Sequence, residues 1–451
     1  TVRSALANSY NIPAVKALQF VGVYDDPDTP EPDGLIPMAE RLGITSLTRD
    51  DYGLALTLGG GEVSLLEMTG AYAVFANNGV RIPPVSILRI VDFEGNTVFE
   101  YEPPAGEQVL RPEHAFLISS ILSDNVARTP MFGAGSILNL PFPAAVKTGT
   151  SGVSGQVFDN WTIGYTPDLT VGVWVGNADY APLQNTTGLS GAAPIWAQFM
   201  TAAIQDLVGG SPAPFSRPAG IVEQTVCAVS GTLPSDWCPN LRVEFFAADQ
   251  PPLPVEQDLW REMTLDTWTG LESSGVCDEF KARQMVINVS DPFARDWLTN
   301  DAEGQDWLLE MNFPGDWRFA PERQCTAQDP RPTLEFVGLG DGEEVNRTPL
   351  EIVIVADAPD FRSYQLVYGI GPDPSAWIPL TGEVTSPVPS AANAYTWDLT
   401  PITANVITLR LYMLGTMPDS SAERIIRLNL RLPPPHPPPP RPAPHPPPPP
   451  P

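Results

Sequence analysis

Ten residues, 143–152, constrain this chain more than any other stretch. Pro143-Ala144-Ala145-Val146 is apolar, Lys147-Thr148-Gly149-Thr150 is not, and Ser151-Gly152 completes the run. An apolar lead into small and hydroxylated residues predicts a buried strand that emerges at an exposed edge. The residue types there suit anion recognition. Lysine offers a fixed positive charge, threonine hydroxyls can donate to a carboxylate, and glycine lets an extended ligand lie flat on the strand. The plain alternative is a chance tripeptide ending a core strand. Lysine is scarce, however: Lys16, Lys147 and Lys281 are the only three, so a chance match is uncommon.

Composition narrows the class of function. A chain of 451 residues has room for two to four domains, each with its own core. The formal net charge of −28 excludes a basic face able to neutralise phosphates, so nucleic acid is not an expected partner. No apolar run is long enough to span a bilayer. Only three histidines occur, His114, His436 and His445, which leaves His114 alone for any Ser-His-Asp triad and argues against histidine-ligated zinc. Acid–base chemistry must therefore run on lysine, carboxylates, hydroxyls or water. Cys227, Cys238, Cys277 and Cys325 cluster within one hundred-residue window without a C-x-x-C pair. One or two disulfides are expected, with Cys227–Cys238 foremost, and hence an oxidising setting; reduced core cysteines are the alternative. Thr1-Val2-Arg3-Ser4 reads as the inside of a helix, so the chain is expected to start within a domain, with any anchor ahead of it.

Taken in order, residues 1–22 read as a short helix, a break at Asn8-Ser9-Tyr10-Asn11, and a second helix opened by Ile12-Pro13. Ser9 and Asn11 then lie on a tight connection where both can face a cleft, although taken alone the pattern is better explained as capping of a helix. Ser64-Leu65-Leu66-Glu67 predicts a capping box, and Asn77-Asn78-Gly79 a helix end. A hairpin is expected over 85–102, a helix after Pro112, two strands at 161–165 and 169–175, and an apolar helix from about 194 to 207. Helices, then an antiparallel sheet around the lysine strand, then a closing helix make an α+β domain over 1–210. Residues 211–330 hold every cysteine and six of the eleven tryptophans but poor periodicity, and read as an irregular, disulfide-supported module. Short alternating runs over 331–432 predict an immunoglobulin-like β-sandwich. Residues 433–451, fifteen of them proline, form an extended tail without a core.

Ser123-Asp124-Asn125 offers a second serine-x-asparagine. It lies 24 residues before Lys147, whereas Ser9 lies 138 before it. A residue so close upstream spends its connector on the loop into the strand, so Ser9 and Asn11 are taken as the functional pair and Ser123 to Asn125 as a helix end.

Together these stretches resemble a class A penicillin-binding protein, nearest the penicillin-binding protein 1C type. The resemblance lies in 3–21, 70–79, 122–128, 144–150, 159–176 and 191–199, and in the later part of the chain through 227–246 and the terminal sandwich. Lys147-Thr148-Gly149-Thr150 followed by Asn160-Trp161 and Val173-Trp174-Val175-Gly176 is its most specific combination. One departure is large. The family's nucleophile is the serine of a Ser-x-x-Lys motif ahead of the serine-x-asparagine, and no Ser-x-x-Lys occurs anywhere in this sequence. The glycosyltransferase domain usual in class A members is likewise outside this sequence and is expected in the preceding part of a bifunctional parent protein.

The resemblance implies a penicillin-binding, serine β-lactamase-like transpeptidase fold, here partial, and a peptidoglycan D,D-transpeptidase working through an acyl-enzyme on D-alanyl-D-alanine stem peptides. It implies catalytic roles for Ser9, Asn11 and Lys147. Ser9 would relay a proton to the leaving amine, and Asn11 would hold the substrate amide. Thr148, Gly149 and Thr150 would bind the substrate carboxylate, and no metal or cofactor is expected. β-Lactams would be ligands, cell-wall synthesis proteins partners, and the location extracytoplasmic, with a membrane anchor in a preceding part. Without its nucleophile the chain itself is expected to be inactive. A D,D-carboxypeptidase or β-lactamase is the alternative enzyme, and a non-catalytic wall-binding protein the alternative of another class.

Overall fold

The computed structural model describes residues 1–29, 32–153, 155–313 and 317–431; the proline-rich stretch 433–451 lies outside them. The chain divides into two compact units, Thr1–Asp258 and Leu259 onward. Helices α1 (Val2–Ala7), α2 (Asn11–Val21), α3 (Leu35–Leu42) and α4 (Leu65–Ala76) open the first unit. The Ser64–Glu67 capping box forms, and Glu67 also accepts from Thr45 and Ser46, tying the loop after α3 to the start of α4. Two small ladders follow: β1 (Val80–Arg81) with β4 (Glu107–Gln108), and the exposed hairpin of β2 (Arg89–Val91) with β3 (Thr97–Glu100). Helix α5 (Pro112–Leu122) has proline in its first turn, where the missing N–H is harmless. A single turn, α6 (Thr129–Phe132), leads to the sheet.

That sheet has the order β5–β6–β7, from Ala145–Val153, Gln156–Tyr165 and Thr170–Gly176, all antiparallel. Strand β5, which carries Lys147, is therefore an edge strand. Strand β6 begins five residues earlier than its alternation indicates. Val157 and Asp159 continue the ladder against β5, with Phe158 at a bulge between them, and Asp159 also pairs with β7, although these residues bury no clean face. Helix α7 (Ala193–Val208) starts with Pro194 in its first turn and ends at Gly209 in the left-handed region. It covers the sheet with Trp196, Met200 and Ile204, all fully buried against Val146 and Val171. The contact is close because of Gly164, where a Cβ would sit 2.4 Å from the Trp196 ring. Strands β8 (Ile221–Cys227) and β9 (Leu241–Ala247) form an antiparallel hairpin that closes the first unit, bridged by Cys227–Cys238.

In the second unit β10 (Trp260–Asp266), β11 (Lys281–Ile287) and β12 (Arg318–Phe319) make one sheet, accompanied by α8 (Pro292–Asn300) and α9 (Ala302–Glu310). The Cys277–Cys325 disulfide staples this region. Residues 211–330 are thus less irregular than their sequence predicts. In β10 the buried residues are Trp260, Met263, Leu265 and Asp266, a spacing that breaks strict alternation and hides the strand. The remaining strands are β13 (Thr333–Val337), β14 (Glu343–Val345), β15 (Leu350–Asp357), β16 (Phe361–Ile370), β17 (Ile378–Pro379), β18 (Val388–Trp397), β19 (Val406–Gly415) and β20 (Ser421–Leu430). They form two sheets, β13–β15–β18 and β14–β20–β19–β16–β17. Ile352 and Ile354 from one and Leu366, Leu409 and Leu411 from the other share one core, the arrangement of a β-sandwich.

Candidate functional site

The site grows from β5. Its period of two sets Thr148 and Thr150 on one face, while the Lys147 side chain leaves from the other. The Lys147 ammonium donates to Ser9 Oγ at 2.6 Å and to the Thr148 carbonyl at 2.8 Å. Burial disfavours its charged form and lowers its pKa to about 8. Thr150 Oγ1 accepts the Gly188 N–H at 2.9 Å, which leaves its own proton to donate. Gly188 has no room for a side chain, since a Cβ would lie 2.5 Å from the Gly149 carbonyl oxygen. The turn at 188–192 thereby braces the sheet under Gly149.

Ser9 occupies the tight connection between α1 and α2 with φ at +61°, a backbone conformation rare for a residue with a side chain. Its N–H bonds the Leu6 carbonyl, and the Tyr10 N–H bonds that of Ala5. The N-cap of α2 is Tyr10, with no side-chain cap, so neither Ser9 nor Asn11 is spent on capping. Ser9 turns to the lysine, and Asn11 opens α2 at the rim of the same cleft. Asn8, next to Ser9, is buried and fully engaged: Nδ2 donates to the Ser4 and Ala127 carbonyls, and Oδ1 accepts the Met131 N–H.

The other serine-x-asparagine stays away from the lysine. Ser123 is the C-terminal cap residue of α5, Asp124 accepts the Val126 and Ala127 N–H groups, and the Asn125 carbonyl accepts the Thr129 hydroxyl.

The cleft holds about 740 Å³ and is lined by Ser9, Asn11 and the Lys147–Thr150 strand. Sequence reasoning missed three of its other walls. Residues 54–61 form one, with Gly59 at φ +100° pressed so closely on Ser151 that a Cβ would come within 2.9 Å. Asp159 forms the second, accepting from Ser151 Oγ at 2.6 Å and Trp174 Nε1 at 2.9 Å. Tyr180, stacked on Phe158, forms the third. The run Gly59-Gly60-Gly61 was the one visible signal for the first wall. Among the described residues no cluster of His, Cys, Asp or Glu could hold a metal ion, and no helix is long and apolar enough to cross a membrane.

Residues 39–201 match the penicillin binding protein transpeptidase domain, and residues 217–254 match the C-terminal domain of penicillin-binding protein 1A. Over residues 39–201 the chain is similar to the transpeptidase domain of penicillin-binding proteins. Penicillin-binding protein 1A of Clostridium tetani is 33% identical over 254 residues, covering 54% of this chain and 31% of that protein. Penicillin-binding protein 2D of Bacillus subtilis is 31% identical over 261 residues, covering 56% of this chain and 35% of that protein. The chain thus spans about a third of the length of these relatives. Among solved structures, penicillin-binding protein 1A from Haemophilus influenzae aligns with a TM-score of 0.46 at 28% identity, covering 56% of this chain and 40% of its own. The matched C-terminal description names the 1A type, where the sequence resemblance pointed to 1C. The match to the transpeptidase domain begins at residue 39, so Ser9 and Asn11 lie ahead of it; Ser9 meets the lysine of the matched segment, and Asn11 lines the same cleft.

Proposed function

We propose that the cleft recognises the C-terminal carboxylate of a D-alanyl-D-alanine stem peptide and serves a peptidoglycan D,D-transpeptidase. The observation that carries this reading is the Lys147–Ser9 hydrogen bond in a cleft that Thr148 and Thr150 also line and that an edge strand borders. The free edge of β5 offers backbone groups to an extended peptide, and the Lys147 ammonium offers charge to its carboxylate. Ser9, in contact with a lysine whose pKa lies near neutrality, can pass a proton between Lys147 and a leaving amine. Asn11 is assigned to the substrate amide. Acyl transfer in this family runs through a Ser-x-x-Lys serine, and this sequence contains none. For this chain the proposal therefore covers recognition and proton relay, and β-lactams are ligands through the carboxylate they share with the stem peptide. The two disulfides support an extracytoplasmic setting.

The proposal is tested by pH. The Lys147 ammonium is present below about 8 and lost above it, so affinity for an N-acetylated D-alanyl-D-alanine peptide is expected to fall as pH rises through that value. A bound carboxylate favours the charged amine, so the inflection of the complex lies higher than that of the free protein. Stability has the opposite sign. Between about 8 and the ordinary lysine value of 10.5 the unfolded chain holds the proton more tightly, so stability rises with pH across that window. Peptide affinity that is flat from about pH 6.5 to about pH 9.5 contradicts the reading.

A further inference from the structure

The hairpin β8–β9 belongs to a segment with its own family match, 217–254, yet it is fastened to the helices that carry the site. It lies along α5. Phe245 meets Phe116 edge to face at 5.4 Å, Arg111 pairs with Asp249 at 2.8 Å, and His114 Nε2 meets Gln250 at 3.1 Å. Beyond these half-exposed contacts, one buried contact reaches α1. Arg3 is 6% exposed and its guanidinium gives two parallel bonds to the Glu244 carboxylate, with Nε–Oε2 at 2.7 Å. Its other donors go to the Ser120 carbonyl at 3.0 Å, Ser120 Oγ at 3.1 Å and Asp124 at 3.3 Å.

The same helix ends at Asn8, whose three bonds include two to the segment after α5, at Ala127 and Met131. Arg3 and Asn8 thus clamp both ends of α1 onto residues 120–131. Only about one and a half helical turns separate Arg3 from Ser9. Ser9 itself holds a left-handed backbone, which persists only where the surroundings enforce it. A short helix of six residues has little stability of its own, so its orientation is set by these anchors.

We propose that the 217–254 module is a working part of the transpeptidase site, with Glu244 and Arg3 as positioning residues that hold the Ser9 turn against Lys147. The proposal rests on the reading of Ser9 and Lys147 as the site's working pair. Burial alone would push the Glu244 carboxyl up, and Arg3, with the Phe245 N–H and Arg242, more than reverses this, leaving it below the ordinary carboxylate value. A bidentate pair on a buried arginine is sensitive to the loss of its carboxylate, because Arg3 then keeps only Asp124, at 3.3 Å, as a charged partner.

The test uses the intact chain labelled with ¹³C-lysine, which has three lysines and hence three side-chain signals, those of Lys16, Lys147 and Lys281. In E244Q the Lys147 titration midpoint is expected to rise from about 8 by roughly one pH unit, because a displaced Ser9 turn admits water to an amine whose pKa burial holds down. The Lys16 and Lys281 signals are expected to stay in place. D249N, which removes an exposed pair of the same module, is expected to leave all three unchanged. E244D keeps the charge on a shorter arm and should fall between E244Q and the parent. A Lys147 midpoint unmoved in folded E244Q, or moved equally in D249N, overturns the proposal. If E244Q unfolds while E244D matches the parent at Lys147, the pair only stabilises, and the proposal is overturned as well. No substrate enters this measurement, so it can fail while the carboxylate reading of the cleft stands.

Discussion

Replacing Lys147 with alanine is expected to weaken binding of an N-acetylated D-alanyl-D-alanine peptide by about 10- to 100-fold, the loss of ~1.5–3 kcal/mol typical of a hydrogen bond to a charged group. The fold should survive. At neutral pH the protonated amine is held in a site whose burial disfavours it, with its pKa near 8, so removing it also removes a cost to folding. The same variant therefore loses ligand without losing stability. Titration calorimetry and a urea melt at one pH check both halves. Unchanged peptide affinity, or a collapse of stability alongside it, makes Lys147 a structural residue.

Trp196→Ala is expected to act the other way round. Trp196 is fully buried at the centre of the core between α7 and the β5–β6–β7 sheet, against Val146 from the strand that carries Lys147. Gly164 lets it approach the sheet. The expected loss is ~3–5 kcal/mol, as for large aromatic deletions in well-packed cores. The first unit's unfolding midpoint in urea reports it. A loss below about 1 kcal/mol would mean that α7 does not hold the sheet in the way described.

Much of this was legible beforehand, and for identifiable reasons. The Lys147 strand announced itself because an apolar run ends in residues that no core requires. The Ser64–Glu67 cap and the helix at 193–208 were legible because capping and proline chemistry act locally. Chain spacing favoured Ser9 over Ser123 as the serine at Lys147, and it is Ser9 that the lysine meets. The rest depended on long-range contacts. Asp159 is one carboxylate among 53 acidic residues until Ser151 and Trp174 are seen to donate to it. Arg3 and Glu244 lie 241 residues apart, and neither carries a local pattern. Strand β10 hid its alternation because both of its faces carry buried residues, Met263 and Leu265 on one and Trp260 and Asp266 on the other. The Asp266 carboxylate accepts from Thr269, which lets an acidic residue occupy a core position.

The central claim is that the cleft binds a peptide through its terminal carboxylate. It is tested most directly by comparing N-acetylated D-alanyl-D-alanine with its C-terminal amide, each titrated into the unaltered chain at about pH 7. The two ligands differ only in the charge presented to Lys147 and the Thr148 and Thr150 hydroxyls. The account predicts that the free acid binds at least about 10-fold more tightly than the amide, and that this preference disappears in Lys147→Ala. Equal affinity for acid and amide in the unaltered chain would contradict it.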